Sequence, residues 1–148
     1  MKKSLIVRML LFLVFVTGIS LNAFAQKDKI EGLWYNAEKT AKINIYKGTD
    51  GKFWGKIVWL KEPEKNGKPK VDENNPKADH KNDPLLNLAI LRHFEKDGDD
   101  LYNDGEIYDP KNGKTYSCKI THKGETLSVR GFVGVSLIGR TTVWEKAK

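Results

Sequence analysis

The side chains best suited to chemistry are concentrated in one polar segment, residues 72–83. Carboxylates and an imidazole are ligands that metal ions, calcium among them, use in proteins. The candidate metal ligands are Asp72, Glu73, Asp79, His80 and Asp83. However, the fixed glycine and final glutamate of a helix–loop–helix calcium site are missing, and Asn and Asp side chains also bond to their own backbone in turns. We therefore favour an Asn/Asp-rich turn over a metal site, and we predict no metal and no other cofactor.

Catalysis would need a nucleophile, a base and an orienting group at matched spacing. The three histidines stand in no such arrangement, and no phosphate-binding or zinc motif occurs in the chain. Cys118 is the only cysteine, and His122 follows four residues later, which is ~13 Å along a strand. A buried, unreactive thiol is the favoured interpretation. We predict that the protein is not an enzyme. A hydrolase or metal-dependent enzyme using residues 72–83 is the least favoured alternative.

Residues 1–25 have the features of a signal peptide. Basic residues lie near the start, residues 9–16 are an apolar run, and residues 23–25 read Ala-Phe-Ala, with small residues at both positions that signal peptidase recognises. The run is shorter than the ~20 residues needed to span a membrane. We therefore predict cleavage near the Ala25–Gln26 bond, no transmembrane segment afterwards, and a periplasmic or secreted protein in which residues 26–148 form one domain.

Charge argues against one class of partner. Cleavage would remove three of the 26 basic residues and none of the 19 acidic ones, which lowers the formal net charge from +7 to +4. The remaining lysines are mostly scattered singly, whereas a nucleic-acid binder needs a dense basic face. We expect no nucleic-acid partner, and we interpret the charge mainly as an aid to solubility.

Alternation of apolar and polar residues predicts an all-β fold. In residues 115–121, Tyr116, Cys118 and Ile120 share one strand face, while the other face is polar. Turn residues separate segments of this kind along the chain, for example at 48–51 and 109–113. About eight short strands joined by hairpins predict a small antiparallel up-and-down barrel.

One long loop should interrupt the barrel. Residues 61–84 are polar and rich in proline, and loops of this length are usually functional or disordered. The apolar segment that follows should contain at most a short helical turn near residues 84–90 and then a strand. In that turn Asp83 would be the N-cap and Pro84 the first helical residue.

The chain resembles a family of small exported bacterial proteins of unknown function, domain of unknown function 2147. The resemblance covers nearly all of residues 26–148. It is carried by Gly32-Leu33-Trp34, Gly55-Lys56-Ile57-Val58-Trp59, Asp72-Glu73-Asn74-Asn75-Pro76, Pro84-Leu85-Leu86, Gly105-Glu106-Ile107-Tyr108-Asp109-Pro110, Gly113-Lys114-Thr115-Tyr116, Val129-Arg130-Gly131 and Gly139-Arg140-Thr141-Thr142-Val143-Trp144. It implies a lipocalin-type barrel and brings no established activity.

The Gly-x-Trp start is also similar to the wider calycin group. That resemblance implies that a basic residue of the last strand packs over the tryptophan of the first, and Arg140 is the matching candidate for Trp34. Such a cation–π pair contributes ~0.5–2 kcal/mol. In the Pro84-Leu85-Leu86 segment, the resemblance to the family of unknown function implies a glycine where this chain has Asn87, so that the bend there would differ.

An eight-stranded barrel holds either packed side chains or one small ligand. Inward aromatic residues would form an apolar wall, and Arg130 would anchor a carboxylate. The candidate ligand-binding residues are Trp34, Phe53, Trp59, Tyr108, Tyr116, Arg130 and Arg140. We therefore predict an exported envelope protein that binds a small apolar or amphipathic ligand without catalysis. The aromatics could instead simply fill the core. In the alternative function, another envelope protein would bind a surface formed by the two apolar faces of strand 53–60, the loop at 131–139 and the long polar loop.

Overall fold

The computed structural model describes residues 26–148, and the predicted signal peptide lies outside the described residues. The strands are β1 (Gly32–Tyr35), β2 (Ala41–Lys47), β3 (Phe53–Leu60), β4 (Glu64–Lys65), β5 (Lys68–Pro69), β6 (Ala89–Lys96), β7 (Leu101–Asp109), β8 (Lys114–Lys123), β9 (Thr126–Phe132) and β10 (Gly139–Lys146). Eight of them are antiparallel and close into a barrel in the order β1-β10-β9-β8-β7-β6-β3-β2, and β4 and β5 form a separate two-stranded sheet. The predicted all-β class and eight-stranded barrel are confirmed.

A β-bulge changes which residues of β3 face inward. Lys42 of β2 pairs with Trp59, but the next residue, Ile43, pairs with Ile57, so that one extra residue of β3 lies between them. A bulge of this kind interrupts the alternation of side chains. Ile57 is buried, whereas Trp59 is 38% exposed on the outer surface. The prediction that Trp59 faces the interior together with Phe53 and Ile57 is therefore wrong.

The N-terminal segment closes one end of the barrel. Ile30 is fully buried, and its carbonyl oxygen accepts a hydrogen bond of 2.8 Å from Trp34 Nε1. Asp28 Oδ2 lies 2.6 Å from Lys96 Nζ, and Asp28 also accepts a hydrogen bond from the Tyr102 hydroxyl. Burial of Asp28 opposes its ionisation, but the Lys96 and Tyr102 hydrogen bonds outweigh burial and hold its pKa below the usual value. These contacts tie the segment to β6 and β7.

The barrel half next to this segment, which we name the closed half, is filled by large side chains. Phe53 and Tyr102 meet edge to face with ring centroids 5.2 Å apart. The Phe94 ring lies directly over Gly105 on the neighbouring strand, where a Cβ atom would collide with it. The buried aromatic residues here are Trp34, Phe53, Phe94, Tyr102 and Trp144. The closed half is thus a packed core.

Arg140 does not pack over Trp34, so the expectation taken from the calycin group is wrong. Trp34 pairs with Lys146 of β10, whose ammonium lies 6.0 Å from the indole centroid. Arg140 pairs with Gly131 of β9 and lies six residues away from Lys146, which is ~20 Å along a strand. A lysine at the end of β10 therefore occupies the place next to the indole.

The long loop is ordered into a compact structure. Asn66 and Gly67 both have positive φ, at 54° and 73°, and they form the tight turn of the β4–β5 hairpin. Val71 in the middle of the loop forms a β-bridge with Pro84 at its end, so that residues 72–83 between them form a closed segment. The loop is therefore a closed excursion from the end of the barrel.

Helical structure within residues 26–148 is limited to one 3₁₀ turn, Ala78–His80. This 3₁₀ turn precedes the predicted position near residues 84–90. At that position Leu88 N donates a hydrogen bond of 3.2 Å to Leu85 O, which closes a single turn. Asp83 accepts from His80 Nδ1. Asn87 has φ of 71°, which is left-handed backbone that Asn tolerates better than most residues, and so it keeps a bend of the glycine type. Among the described residues, no helix has the length and apolarity to cross a bilayer.

Candidate functional site

The end of the barrel opposite the N-terminal segment opens into a cavity of about 1750 Å³. We name the barrel half around it the open half. Strands β2, β3, β6, β7 and β9 each supply aliphatic side chains to its wall. The deep wall is formed by Ala41, Ile43, Ile57, Ile90, Ile107 and Val129. These side chains offer an apolar surface and carry no group that could be ionised.

On β9, and between Trp144 and Thr142 of β10, the inward side chains become smaller toward the cavity. Along β9 the inward residues run from Leu127, which is fully buried, through Val129 to Gly131. Along β10 they run from the buried Trp144 to Thr142. A Cβ atom on Gly131 would lie 3.5 Å from the nearest side-chain atom, which is an ordinary contact distance. The neighbouring atoms therefore do not require a glycine at this position. The small inward side chains at these positions leave space on this side of the open half.

The mouth has an excess of positive charge. Three lysines of the rim are paired with glutamates, in the pairs Lys65–Glu73, Lys70–Glu62 and Lys111–Glu38. Lys61, Lys68 and Arg140 also line the cavity, and they form no ion pair within residues 26–148. The acid on the rim outside these pairs is Asp109, whose Oδ1 accepts a hydrogen bond from the Lys111 backbone. The six cations and four acids of the rim therefore leave an excess of two positive charges around an apolar interior.

A buried carboxyl fixes the long loop at the mouth. Asp72 is fully buried, and both of its carboxyl oxygens lie 2.8 Å from the Tyr108 hydroxyl, which donates to them. Asn75 Nδ2 donates to Asp72 Oδ2 at 2.7 Å. Burial of the Tyr108 hydroxyl, and next its bond to Asp72, raise the pKa of Tyr108 to about 12. Tyr108 consequently keeps its proton and remains a donor at neutral pH.

A second contact holds the loop against the β7–β8 turn. Asn74 Nδ2 donates to the carbonyl oxygens of Pro110 and Lys111 at 3.2 and 3.1 Å. Gly113 has φ of 68°, and a Cβ atom there would collide with the Asn74 carbonyl. The two contacts keep residues 72–75 on the rim, so that the loop extends the cavity wall beyond the strands.

The candidate metal ligands do not converge. The Asp72 carboxyl is occupied by its hydrogen bonds to Tyr108 and Asn75, and Glu73 Oε1 lies 2.9 Å from Lys65 Nζ. His80 Nδ1 lies 2.7 Å from Asp83 Oδ2, while Asp79 Oδ2 lies 3.9 Å from the other ring nitrogen. Between residues 26 and 148, no group of three or more His, Cys, Asp or Glu side chains could hold a metal ion. The segment instead contains turns capped by its own side chains, such as Lys77 N to Asn75 Oδ1 at 2.9 Å.

The predicted ligand-binding residues fall into three groups. Tyr108, Tyr116 and Arg140 line the cavity. Trp34 and Phe53 belong to the packed closed half. Trp59 and Arg130 lie outside the cavity lining.

The two outer residues have structural partners instead. Trp59 meets Tyr35 edge to face at 6.1 Å, and the Lys42 ammonium lies 5.4 Å from the Trp59 ring centroid. Arg130 Nε donates to Ser136 O at 2.7 Å, and the same side chain reaches Thr141. The expectation that Arg130 is an interior anchor is therefore wrong, and Arg130 holds the β9–β10 loop.

Cys118 matches its expected character. It is 1% exposed and unpaired, and burial raises its pKa to about 12. A thiol in this position is neither accessible nor ionised at neutral pH.

A closed eight-stranded antiparallel barrel, packed at one end and hollow at the other, defines the class of lipocalin-like proteins. The solved structure of protein HP1028 from the human pathogen Helicobacter pylori, described as belonging to the lipocalin family, is similar with a TM-score of 0.73. It is 20% identical, and the match covers 82% of this chain and 84% of that chain, so the likeness concerns the fold.

The chain belongs to the family described as "Uncharacterized protein conserved in bacteria (DUF2147)", whose model matches residues 32–146. The family resemblance and the lipocalin-like barrel expected from the sequence are thereby confirmed. A search of curated protein sequences finds no match.

Proposed function

We propose that the protein binds one small apolar or amphipathic ligand in the open half of the barrel, without catalysing a reaction. The observation that carries this proposal is the cavity of about 1750 Å³ with an aliphatic wall. Binding sites for small molecules are mostly apolar clefts of roughly 300–1,000 Å³ with a few polar groups. The cavity, including its mouth, exceeds that range, so it has room for a ligand of ordinary size.

The positive mouth favours an amphipathic ligand with an anionic head. Arg140 lines the cavity and forms no ion pair within residues 26–148. Guanidinium groups pair with carboxylates and phosphates through two parallel hydrogen bonds. A ligand with its apolar part against Ile57 and Val129 would bring an acidic head close to the rim. A long-chain carboxylic acid is the simplest compound of this kind.

The proposal includes export. The basic start, the apolar run at residues 9–16 and the Ala-Phe-Ala sequence before Gln26 support removal of residues 1–25 and a periplasmic or secreted location. N-terminal sequencing of the protein recovered from its host should give Gln26 as the first residue. Recovery of a chain that starts at Met1 would contradict this part of the proposal.

Fluorescence titration with cis-parinaric acid tests the binding proposal. We expect residues 26–148 to bind the probe in the micromolar range, with a stoichiometry near one. Arg140→Gln should weaken binding by about tenfold, since a hydrogen-bonded charge pair contributes ~1.5–3 kcal/mol. Lys123→Gln is the matched control, because it removes one positive charge from an exposed site at the closed end.

The variants also separate two questions: whether the ligand is anionic, and whether the cavity binds a ligand at all. If Arg140→Gln and Lys123→Gln bind the probe equally well, Arg140 does not bind the acidic head group, and the anionic part of the proposal is overturned. If the unmodified chain binds neither cis-parinaric acid nor a neutral apolar dye, the cavity is not a ligand site and the proposal is overturned.

A further inference from the structure

The loop between β9 and β10, residues 133–138, presents an aliphatic tip to solvent, and we name it the mouth loop. The exposed fractions of its side chains are 68% for Val133, 60% for Val135, 89% for Leu137 and 70% for Ile138. Four large aliphatic side chains on one short loop are a concentrated apolar feature. Clusters of this kind mark contact with another surface.

The exposure is maintained by hydrogen bonds to the loop backbone. Arg130 Nε and Nη2 donate to the carbonyl oxygens of Ser136 and Leu137 at 2.7 and 3.3 Å. Ile138 N donates to Val135 O at 3.0 Å, and Val133 N donates to Ile138 O at 3.3 Å. The polar backbone atoms thus face the protein, and the apolar side chains are held outward.

The surroundings of the tip are positively charged. Residues 126–144 contain Arg130 and Arg140 and no acidic residue. Lys119 of the adjacent strand reaches Ser136 Oγ at 3.5 Å. Arg130, Arg140 and Lys119 therefore lie at the base of the mouth loop or beside it, and residues 126–144 contain no carboxylate.

We propose that the mouth loop inserts into the interface of an anionic lipid bilayer, with these basic side chains on the lipid head groups. Apolar side chains of interfacial anchors enter ~5–10 Å into the boundary between head groups and acyl chains. Basic residues beside them are attracted to the negative surface. Val133 and Ile138 also line the cavity, so docking would hold its mouth against the bilayer.

A membrane fits this tip better than a protein partner does. Binding hot spots in protein interfaces are enriched in Trp, Tyr and Arg, whereas Leu and Val are under-represented. A stable protein complex also buries ~800 Å² on each partner, more than four side chains on a convex loop supply. Acyl chains require only aliphatic contact, which is what Val135 and Leu137 offer. The inference goes beyond ligand binding in the cavity and does not depend on it.

Vesicle flotation with residues 26–148 tests the proposal. We expect binding to vesicles of phosphatidylcholine mixed with phosphatidylglycerol, weaker binding to phosphatidylcholine alone, and loss of the difference at high salt. The double variant Val135→Ser/Leu137→Ser should bind anionic vesicles at least about tenfold more weakly, since each buried CH₂ group contributes roughly 0.8 kcal/mol. Neither residue lines the cavity.

The double variant Leu33→Ser/Val143→Ser is the matched control. It changes the same residue types at exposed sites on the outer barrel wall, where Leu33 is 38% and Val143 is 55% exposed. We expect its vesicle binding to stay within about twofold of the unmodified chain, and circular dichroism should show that both variants fold.

Three results would overturn the proposal: no binding of the unmodified chain to anionic vesicles, equal loss in both double variants, or loop variants that lose only self-association or a protein partner. Binding of cis-parinaric acid should be unchanged in Val135→Ser/Leu137→Ser. A chain that binds vesicles but neither cis-parinaric acid nor a neutral apolar dye refutes the ligand proposal alone. A chain that binds the probe but not anionic vesicles refutes the membrane proposal alone.

Discussion

The closed half and the open half are built from the same eight strands, yet one is a solid core and the other is a cavity. In the closed half the inward positions carry Trp34, Phe94 and Trp144, and in the open half they carry Ala41 and Gly131. A barrel of this strand number can be filled or can hold a small ligand. The difference between the halves shows that the size of the inward side chains decides between the two outcomes, and that one molecule can contain both.

The halves also differ in the polar contacts that complete them. The closed half is tied by a charged cluster, in which Asp28 bonds to Lys96 and Tyr102. The open half is completed by Asp72, whose partners Tyr108 and Asn75 are neutral donors. The first cluster joins a terminus to the sheet, and the second holds a loop at the mouth. We expect the first to affect stability, and the second to affect both loop order and ligand binding.

The largest contrast should come from truncating one inward residue in each half. Trp144→Ala removes a side chain that is 4% exposed, and such truncations cost ~3–5 kcal/mol in free energy of unfolding. Leu60 is partly buried and borders the cavity, so Leu60→Ala enlarges a space that already exists and should cost ~1 kcal/mol. Urea unfolding of both variants measures the difference. Equal losses would mean that the open half is packed as tightly as the closed half.

Tyr108→Phe should have the next largest effect. It leaves the buried Asp72 carboxyl with Asn75 as its side-chain donor, and an unsatisfied buried group costs ~1–3 kcal/mol. We also expect the long loop to exchange its amide hydrogens faster, which hydrogen exchange of residues 70–85 would detect. Tyr116→Phe is the control, because its hydroxyl contacts only the exposed Asn112 amide. Similar exchange in both variants would show that Asp72 does not anchor the loop.

Acid should weaken the closed half through Asp28. The folded pKa of Asp28 is lowered, so its contribution to stability is present above the unfolded value of ~3.9 and is lost as the pH falls through the folded pKa. Asp28→Asn should cost ~1–2 kcal/mol at neutral pH, less than a fully buried ion pair because Lys96 is partly exposed. The urea midpoints of the two proteins should differ at neutral pH and converge as the pH falls below the folded pKa of Asp28. A constant difference would contradict the assignment.

A smaller effect is expected at Asn87, in the bend that leads into the open half. Its φ of 71° is left-handed, so Asn87→Ala should cost ~1 kcal/mol, whereas Asn87→Gly should be nearly neutral. Thermal unfolding of the two variants compares them. If alanine is tolerated as well as glycine, the bend is not strained.

Much of the fold could be predicted from the sequence because strand alternation and turn residues are local signals. β3 has the predicted bounds, residues 53–60, and the strand predicted from the alternation in residues 115–121 extends by one residue at its start and two at its end. The β4–β5 hairpin was missed although Asn66-Gly67 is a strong hairpin signal, because two-residue strands leave no alternation to read.

The site was predicted less well, for two physical reasons. The alternation of side chains assigns residues to the two faces of a strand only while the pairing register is regular. The bulge opposite Lys42 breaks this register and places Trp59 on the outside. The aromatic residues predicted to form the ligand wall are divided between the two halves: Trp34 and Phe53 fill the closed half, and Tyr108 and Tyr116 line the cavity. The positions of Arg130 and Arg140 depend on pairing between β9 and β10 and on the loop joining them, which no local pattern reveals.

The most direct test of the account is to fill the open half with one side chain. Thr142→Phe places a ring at an inward position that lines the cavity, and Val143→Phe places the same ring on the outer wall one residue later. We predict that Thr142→Phe weakens binding of cis-parinaric acid by at least about tenfold, a loss of ~1.4 kcal/mol, without lowering stability, while Val143→Phe binds as the unmodified chain does. Unchanged binding by Thr142→Phe, or an equal loss in both variants, would contradict a ligand site in the open half.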